Sequence, residues 1–244
     1  MTEPVRLARR LADIVGCSRR QAELYIEGGW VRVDGIVVEA PQSKVRDQTI
    51  TLDPQARAEP VLPVTLLLHK PADYDWADGP RSASQLLLPG SRWDGAHDRQ
   101  RQLQRHLQEQ SCVTPLESGA SGLLVFTQDR RVRRKLTEEA ARVEHEVIVD
   151  VTGEVTEAAL RQLNKAPIVD GRAMLPAKVS ISRQVDDVTG LRFAVKGSLP
   201  GQIAQMCGAV QLTVVGMRRI RVGRIALAAL PMGQWRYLMP YERF

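Results

Sequence analysis

The chain has 244 residues, with 34 Lys or Arg against 28 Asp or Glu and a formal net charge of +6. That length buries a substantial core and suits two domains, and the basic balance favours a polyanionic partner. There is no run of about 18 apolar residues and no apolar leader core, so neither a membrane partner nor a signal peptide is expected. Cys17, Cys112 and Cys207 are odd in number, widely spaced and without paired histidines, which argues against a disulfide framework or zinc site and points to a reducing cytoplasm.

Leu7, Leu11 and Ile14 recur at the spacing of one helix face, and Gly16 ends that helix. Ser18 opens a second helix with Gln21 three residues on, the pattern of a capping box. Ala22, Tyr25 and Ile26 form its inner face and Gly28-Gly29 its stop. Val31 and Val33 alternate with Arg32, and Asp34-Gly35 signals a tight hairpin before residues 36–38.

Five arginines, Arg6, Arg9, Arg10, Arg19 and Arg20, fall within fifteen residues, although residues 1–60 balance nine Arg/Lys with nine Asp/Glu. The signal is therefore clustering. Arg19 and Arg20 lie in a first helical turn, where the dipole disfavours cations, a conflict that an anion would relieve. These five, with Arg32, are read as phosphate contacts.

Residues 53–60, in which prolines bracket polar residues, divide a first domain of residues 1–60 from a second of 61–244. Strand-like runs follow at residues 64–69, 123–126, 146–151, 192–195 and 212–215, without regular βαβ spacing. The class expected is α+β: a small helix–helix–hairpin domain, then a domain around a mixed, mainly antiparallel sheet. Residues 92–110, rich in Arg, Gln and His with Leu103 and Leu107 one turn apart, suggest a short amphipathic surface helix or an RNA-contacting insertion. In residues 114–129, Pro115 and small residues precede an apolar strand and surround one carboxylate, Glu117. Asp129 then caps a helix beginning Arg130, Arg131, Arg133, Arg134, Lys135, and a further cluster holds Arg218, Arg219, Arg221 and Arg224.

Residues 6–35 resemble the S-four-type RNA-binding domain, through Arg6-Leu7, Leu11-Ala12, Gly16, Ser18-Arg19-Arg20, Ala22, Ile26, Gly29, Val31, Val33 and Asp34-Gly35. Such modules grip structured RNA by shape and phosphates. The remainder resembles the RNA pseudouridine synthases that carry this domain and act on ribosomal RNA. Gly122-Leu123-Leu124 and Thr127-Gln128-Asp129 match the catalytic loop, and Leu68-His69-Lys70-Pro71 matches a strand end. Gln202-Ile203 with Met206-Cys207 and residues 219–236 match a later helix and the closing strands. The resemblance implies uridine isomerisation on a base taken out of its stack, with no metal or organic cofactor. It places Lys70, Arg130, Arg219 and Arg221 against RNA, and the chain is read as a monomer.

The reacting positions depart from the family. Glu117 replaces the aspartate nucleophile, Pro115 an arginine, and Val147 a tyrosine, while Gly201, Ala204 and Gln205 stand at basic positions. His145 occupies a lysine position and offers a cation near its ordinary pKa of about 6.5. A shift of about 1 Å costs about a hundredfold in rate, and loss of a proton-transfer group ~10²–10⁴. Two readings stay open: an isomerase with Glu117 as its catalytic carboxylate, or an RNA-binding protein that keeps the scaffold without the chemistry.

Overall fold

The computed structural model describes residues 3–96, 100–169, 171–197 and 199–244. They form two compact units, residues 3–63 with 100–108 and residues 64–96 with 109–244.

The first unit contains β1 (Val5–Arg6), α1 (Leu7–Val15), α2 (Arg19–Glu27), β2 (Val31–Val33), β3 (Ile36–Val37), β4 (Lys44–Val45) and β5 (Ile50–Leu52). β1 pairs with β4, and the other three strands form a sheet in the order β3-β2-β5. Gly16 ends α1 in the left-handed region at φ 71°. The Ser18 hydroxyl accepts from the Gln21 amide while the Gln21 side chain accepts from the Ser18 amide, so the capping box forms as its spacing suggests. Asp34 and Gly35 both take positive φ, 50° and 82°, as a type I′ hairpin turn requires. Leu7, Leu11, Ala22, Ile26, Val31 and Val45 make the core. Ile14, expected to join it, is 55% exposed, so the apolar stripe of α1 is used only over its first two turns.

Residues 100–108 pack with this unit rather than with their neighbours in sequence. The Arg101 guanidinium lies 3.8 Å from the centre of the Trp30 ring, pairs with Asp53 at 3.1 Å and donates to the Gly29 carbonyl at 2.6 Å. Leu103 is buried, and a 3₁₀ turn spans Gln104–Leu107. The amphipathic helix expected here is absent among the described residues 100–110: a single apolar pair is too little to sustain one, and tertiary contacts set the path. Residues 97–99 lie outside the described residues.

The second unit contains β6 (Thr65–Lys70), β7 (Ser111–Cys112), β8 (Ser121–Thr127), α3 (Arg130–Thr137), β9 (Glu144–Thr152), α4 (Glu157–Leu163), β10 (Ile168–Val169), β11 (Arg172–Ala173), β12 (Lys178–Val185), β13 (Val188–Lys196), α5 (Gln202–Ala209), β14 (Thr213–Val222), β15 (Ile225–Ala226) and β16 (Trp235–Tyr237). The five strand-like runs read from sequence all fall within or overlap β6, β8, β9, β13 and β14. Among the described residues the main sheet has nine strands, ordered β12-β13-β9-β14-β8-β6-β16, with β15 on β14 and β7 on β8. Every pairing is antiparallel except β14 with β8, so the class is the mixed α+β one expected. α4 and α5 cover one apolar cluster through Leu163, Ile203, Met206 and Cys207, and α3 covers another through Leu136. No helix among the described residues is long and apolar enough to cross a membrane.

The parallel register sets Gly122 opposite Arg219. Gly122 has φ +117°, and a Cβ there would stand 2.3 Å from the Arg219 carbonyl oxygen. Only glycine permits this approach, and it brings the Arg219 side chain beneath the loop that carries Glu117.

Candidate functional site

Arg219 is 1% exposed, and each end of its guanidinium meets a backbone oxygen. Nε donates to Leu123 at 2.8 Å, Nη1 to Pro115 at 2.8 Å and Nη2 to Thr114 at 2.6 Å. A planar fork suits three converging carbonyls in a way an ammonium does not. Burial lowers its pKa to about 10, so it remains a cation at neutral pH and acts as a fixed staple on both sides of the loop.

Glu117 sits at the open end of α5. That helix starts after Gly201, at φ 87°, with no capping side chain. The Glu117 Oε1 accepts from the Ile203 amide at 3.1 Å, and the Ala204 and Gly201 amides also favour its charge. A carboxylate beside unpaired helix amides is stabilised by them and by the dipole. Burial outweighs these bonds and raises the Glu117 pKa above its ordinary value. The carboxylate thus serves as a helix cap supplied from a distant loop.

Little room surrounds it. The adjoining cavity measures about 20 Å³ and is walled by Leu116, Val147, Leu199, Ile203 and Met217, with Arg219 also in its lining. Such a space holds about one water, far less than a pyrimidine ring. Among the described residues Glu117 makes no ion pair, because Arg219 is directed to the loop carbonyls. His145 does not supply the cation considered for it. Its ring is buried on β9, and burial, then Arg219 and Arg221, lower its pKa to about 3. It is neutral, and its Nδ1 has no partner among the described residues.

The cations sort into two groups. Arg6, Arg9, Arg10, Arg19, Arg20 and Arg32 of the first unit are all exposed. Arg19 and Arg20 each approach Glu23 at 3.6 Å, so the helix itself supplies part of the anion their position calls for. In the second unit Arg130 is exposed at the start of α3, Arg218 is exposed on β14, and Arg224 is exposed in the turn that follows it. Lys70 and Arg219 are not available to phosphate. Lys70 is fully buried, and its ammonium donates to the carbonyls of Pro71 and Tyr74. Arg221 is half-buried against Glu144 and Glu146, at 2.7 and 2.9 Å. Sequence reading missed the amides of α5 as the partner of Glu117. The available signal was Gly201, a helix start without a Ser, Thr, Asp or Asn cap.

No family model matches the chain. Ribosomal large subunit pseudouridine synthase B of Vibrio vulnificus is 29% identical over 245 residues, 94% of this chain and 70% of that protein. Dual-specificity RNA pseudouridine synthase RluF of Escherichia coli is 24% identical over 98% of this chain and 77% of its own length. A solved pseudouridylate synthase superposes over 96% of both chains with a TM-score of 0.60 at 20% identity, which shows a shared fold. Over nearly its whole length the chain is similar to RNA pseudouridine synthases and shares their fold. It spans 56% of the length of a candidate ribosomal large subunit pseudouridine synthase (SVR1) of the Arabidopsis thaliana chloroplast, to which it is 25% identical. Beside the close approach of Gly122 to Arg219, Glu117, Val147 and Ala204 occupy the positions at which the resemblance departs in chemistry.

Proposed function

We propose that the chain binds structured RNA, ribosomal RNA in view of its relatives' names, and does not isomerise uridine in it. One observation supports this most strongly: the single loop carboxylate caps α5 beside a cavity of about 20 Å³ whose lining, apart from Glu117 and the loop-bound Arg219, is apolar. Neither Val147 nor Ala204 moves a proton. Binding rests on the exposed arginines of α1, α2 and β2, with Arg130 and the exposed cations of α3 as a second phosphate surface. We place the protein in the cytoplasm as a monomer whose two domains divide near residues 60–63, with residues 100–108 returning to the first.

The test uses ribosomal transcripts carrying tritium at uridine carbon five, since forming the new glycosidic bond there releases that hydrogen. Affinity that falls steeply with salt, no tritium release, and the same affinity in Glu117→Ala support the proposal. Release that disappears in Glu117→Ala overturns it and makes Glu117 the catalytic group. That second reading is favoured by one fact, the retention of a carboxylate at the loop position.

A further inference from the structure

α5 separates two spaces of unequal size. Ile203 lines the small cavity beside Glu117, whereas Gln205 and Met206 line a groove toward α4 whose volume is about 360 Å³. That is the size range of sites for small ligands. Leu163 and Met206, both buried, form the walls, and Ile168, 74% exposed, stands at the rim. Three polar side chains complete the lining: Gln162, Lys165 and Gln205, all exposed. None makes a side-chain hydrogen bond or ion pair among the described residues. Neighbouring Arg161, by contrast, is paired with Glu157 at 3.2 Å.

We propose that this groove is a subsite for one unpaired nucleotide of the bound RNA. The claim rests on the RNA-binding reading above and names where an unstacked base goes, given that the cavity at Glu117 does not admit one. Apolar walls take the faces of a base, and two amides, each both donor and acceptor, answer the mixed pattern on its edge. Lys165 takes a phosphate. Among the described residues no carboxylate lines the groove, which suits an anionic ligand, and a purely apolar peptide would leave the ammonium and both amides unsatisfied.

The test uses the full chain with a ribosomal transcript and with a short unpaired oligoribonucleotide. Gln162→Ala combined with Gln205→Ala is expected to weaken binding of both about tenfold without changing the salt slope. Lys165→Ala is expected to flatten the slope of log affinity against log salt by about 0.7 for the oligonucleotide, with Lys165→Arg restoring it. The Met206 methyl resonance should shift when the oligonucleotide is added. These residues, exposed apart from Met206, leave the melting temperature of the variants unchanged, which separates lost contacts from lost fold. If the parent binds RNA and the groove variants bind equally well with an unmoved Met206 signal, the subsite is wrong and the RNA-binding reading stands. If the parent ignores both RNAs in dilute salt, both fall.

Discussion

In the first unit Arg6, Arg9, Arg10, Arg19, Arg20 and Arg32 stand in water, while under the 114–120 loop of the second unit Lys70 and Arg219 are sealed away from it. An exposed guanidinium interacts with a polyanion through a screened, salt-dependent field. A buried one is out of a ligand's reach and instead fixes the oxygens it touches. Basic residues in one chain therefore divide between gripping a ligand and building the frame, and only burial tells them apart.

The sharpest way to break the frame is at its closest approach. Gly122→Ala must place a Cβ 2.3 Å from the Arg219 oxygen at φ +117°, and should cost about 3–5 kcal/mol. A denaturation midpoint equal to the parent's would show that β8 and β14 do not need this contact. Arg219→Met, which leaves three buried carbonyls without donors, should cost about 3 kcal/mol yet leave the RNA affinity of the folded protein unchanged. A selective loss of affinity at full stability would move Arg219 into the gripping class.

A pH titration probes the same buried region. Burial depresses the pKa of His145 from 6.5 to about 3, and His69 is also lowered. His145 stays neutral in the folded chain down to about pH 3 while the unfolded chain takes up a proton, and His69 acts in the same direction. The stability that His145 contributes is therefore full above pH 6.5 and falls as pH drops toward 3, at up to about 1.4 kcal/mol per pH unit. His145→Gln should remove one such slope between pH 6 and pH 5; an unchanged slope would mean that His145 is already charged. The smallest effects belong to the exposed arginines. Arg19→Ala and Arg20→Ala should each flatten the salt dependence of duplex RNA binding by about 0.9, with stability altered by less than about 0.5 kcal/mol because their Glu23 pairs are exposed.

Local features were legible in the sequence. The capping box at Ser18, the turn at Asp34-Gly35, the Asp129 cap and the positions of the sheet strands all follow from spacings of a few residues. What the sequence did not reveal joins residues far apart. The Ile203 amide that holds Glu117 lies 86 positions away, and the Thr114 oxygen that holds Arg219 lies 105 away. The same applies to Arg101 on Gly29 and Trp30, across 72 positions for the first of these, in a segment whose composition suggested a surface helix. Charge and residue type were visible at Lys70 and Arg219; their burial depended on a sheet register that no local pattern states.

The most direct measurement is a map of pseudouridine in ribosomal RNA from cells with the protein, without it, and with Glu117→Ala in its place. Identical maps in all three, together with recovery of ribosomal RNA bound to the parent chain, are what a capped carboxylate and a cavity of about 20 Å³ predict. A uridine modified only when the parent chain is present would contradict them.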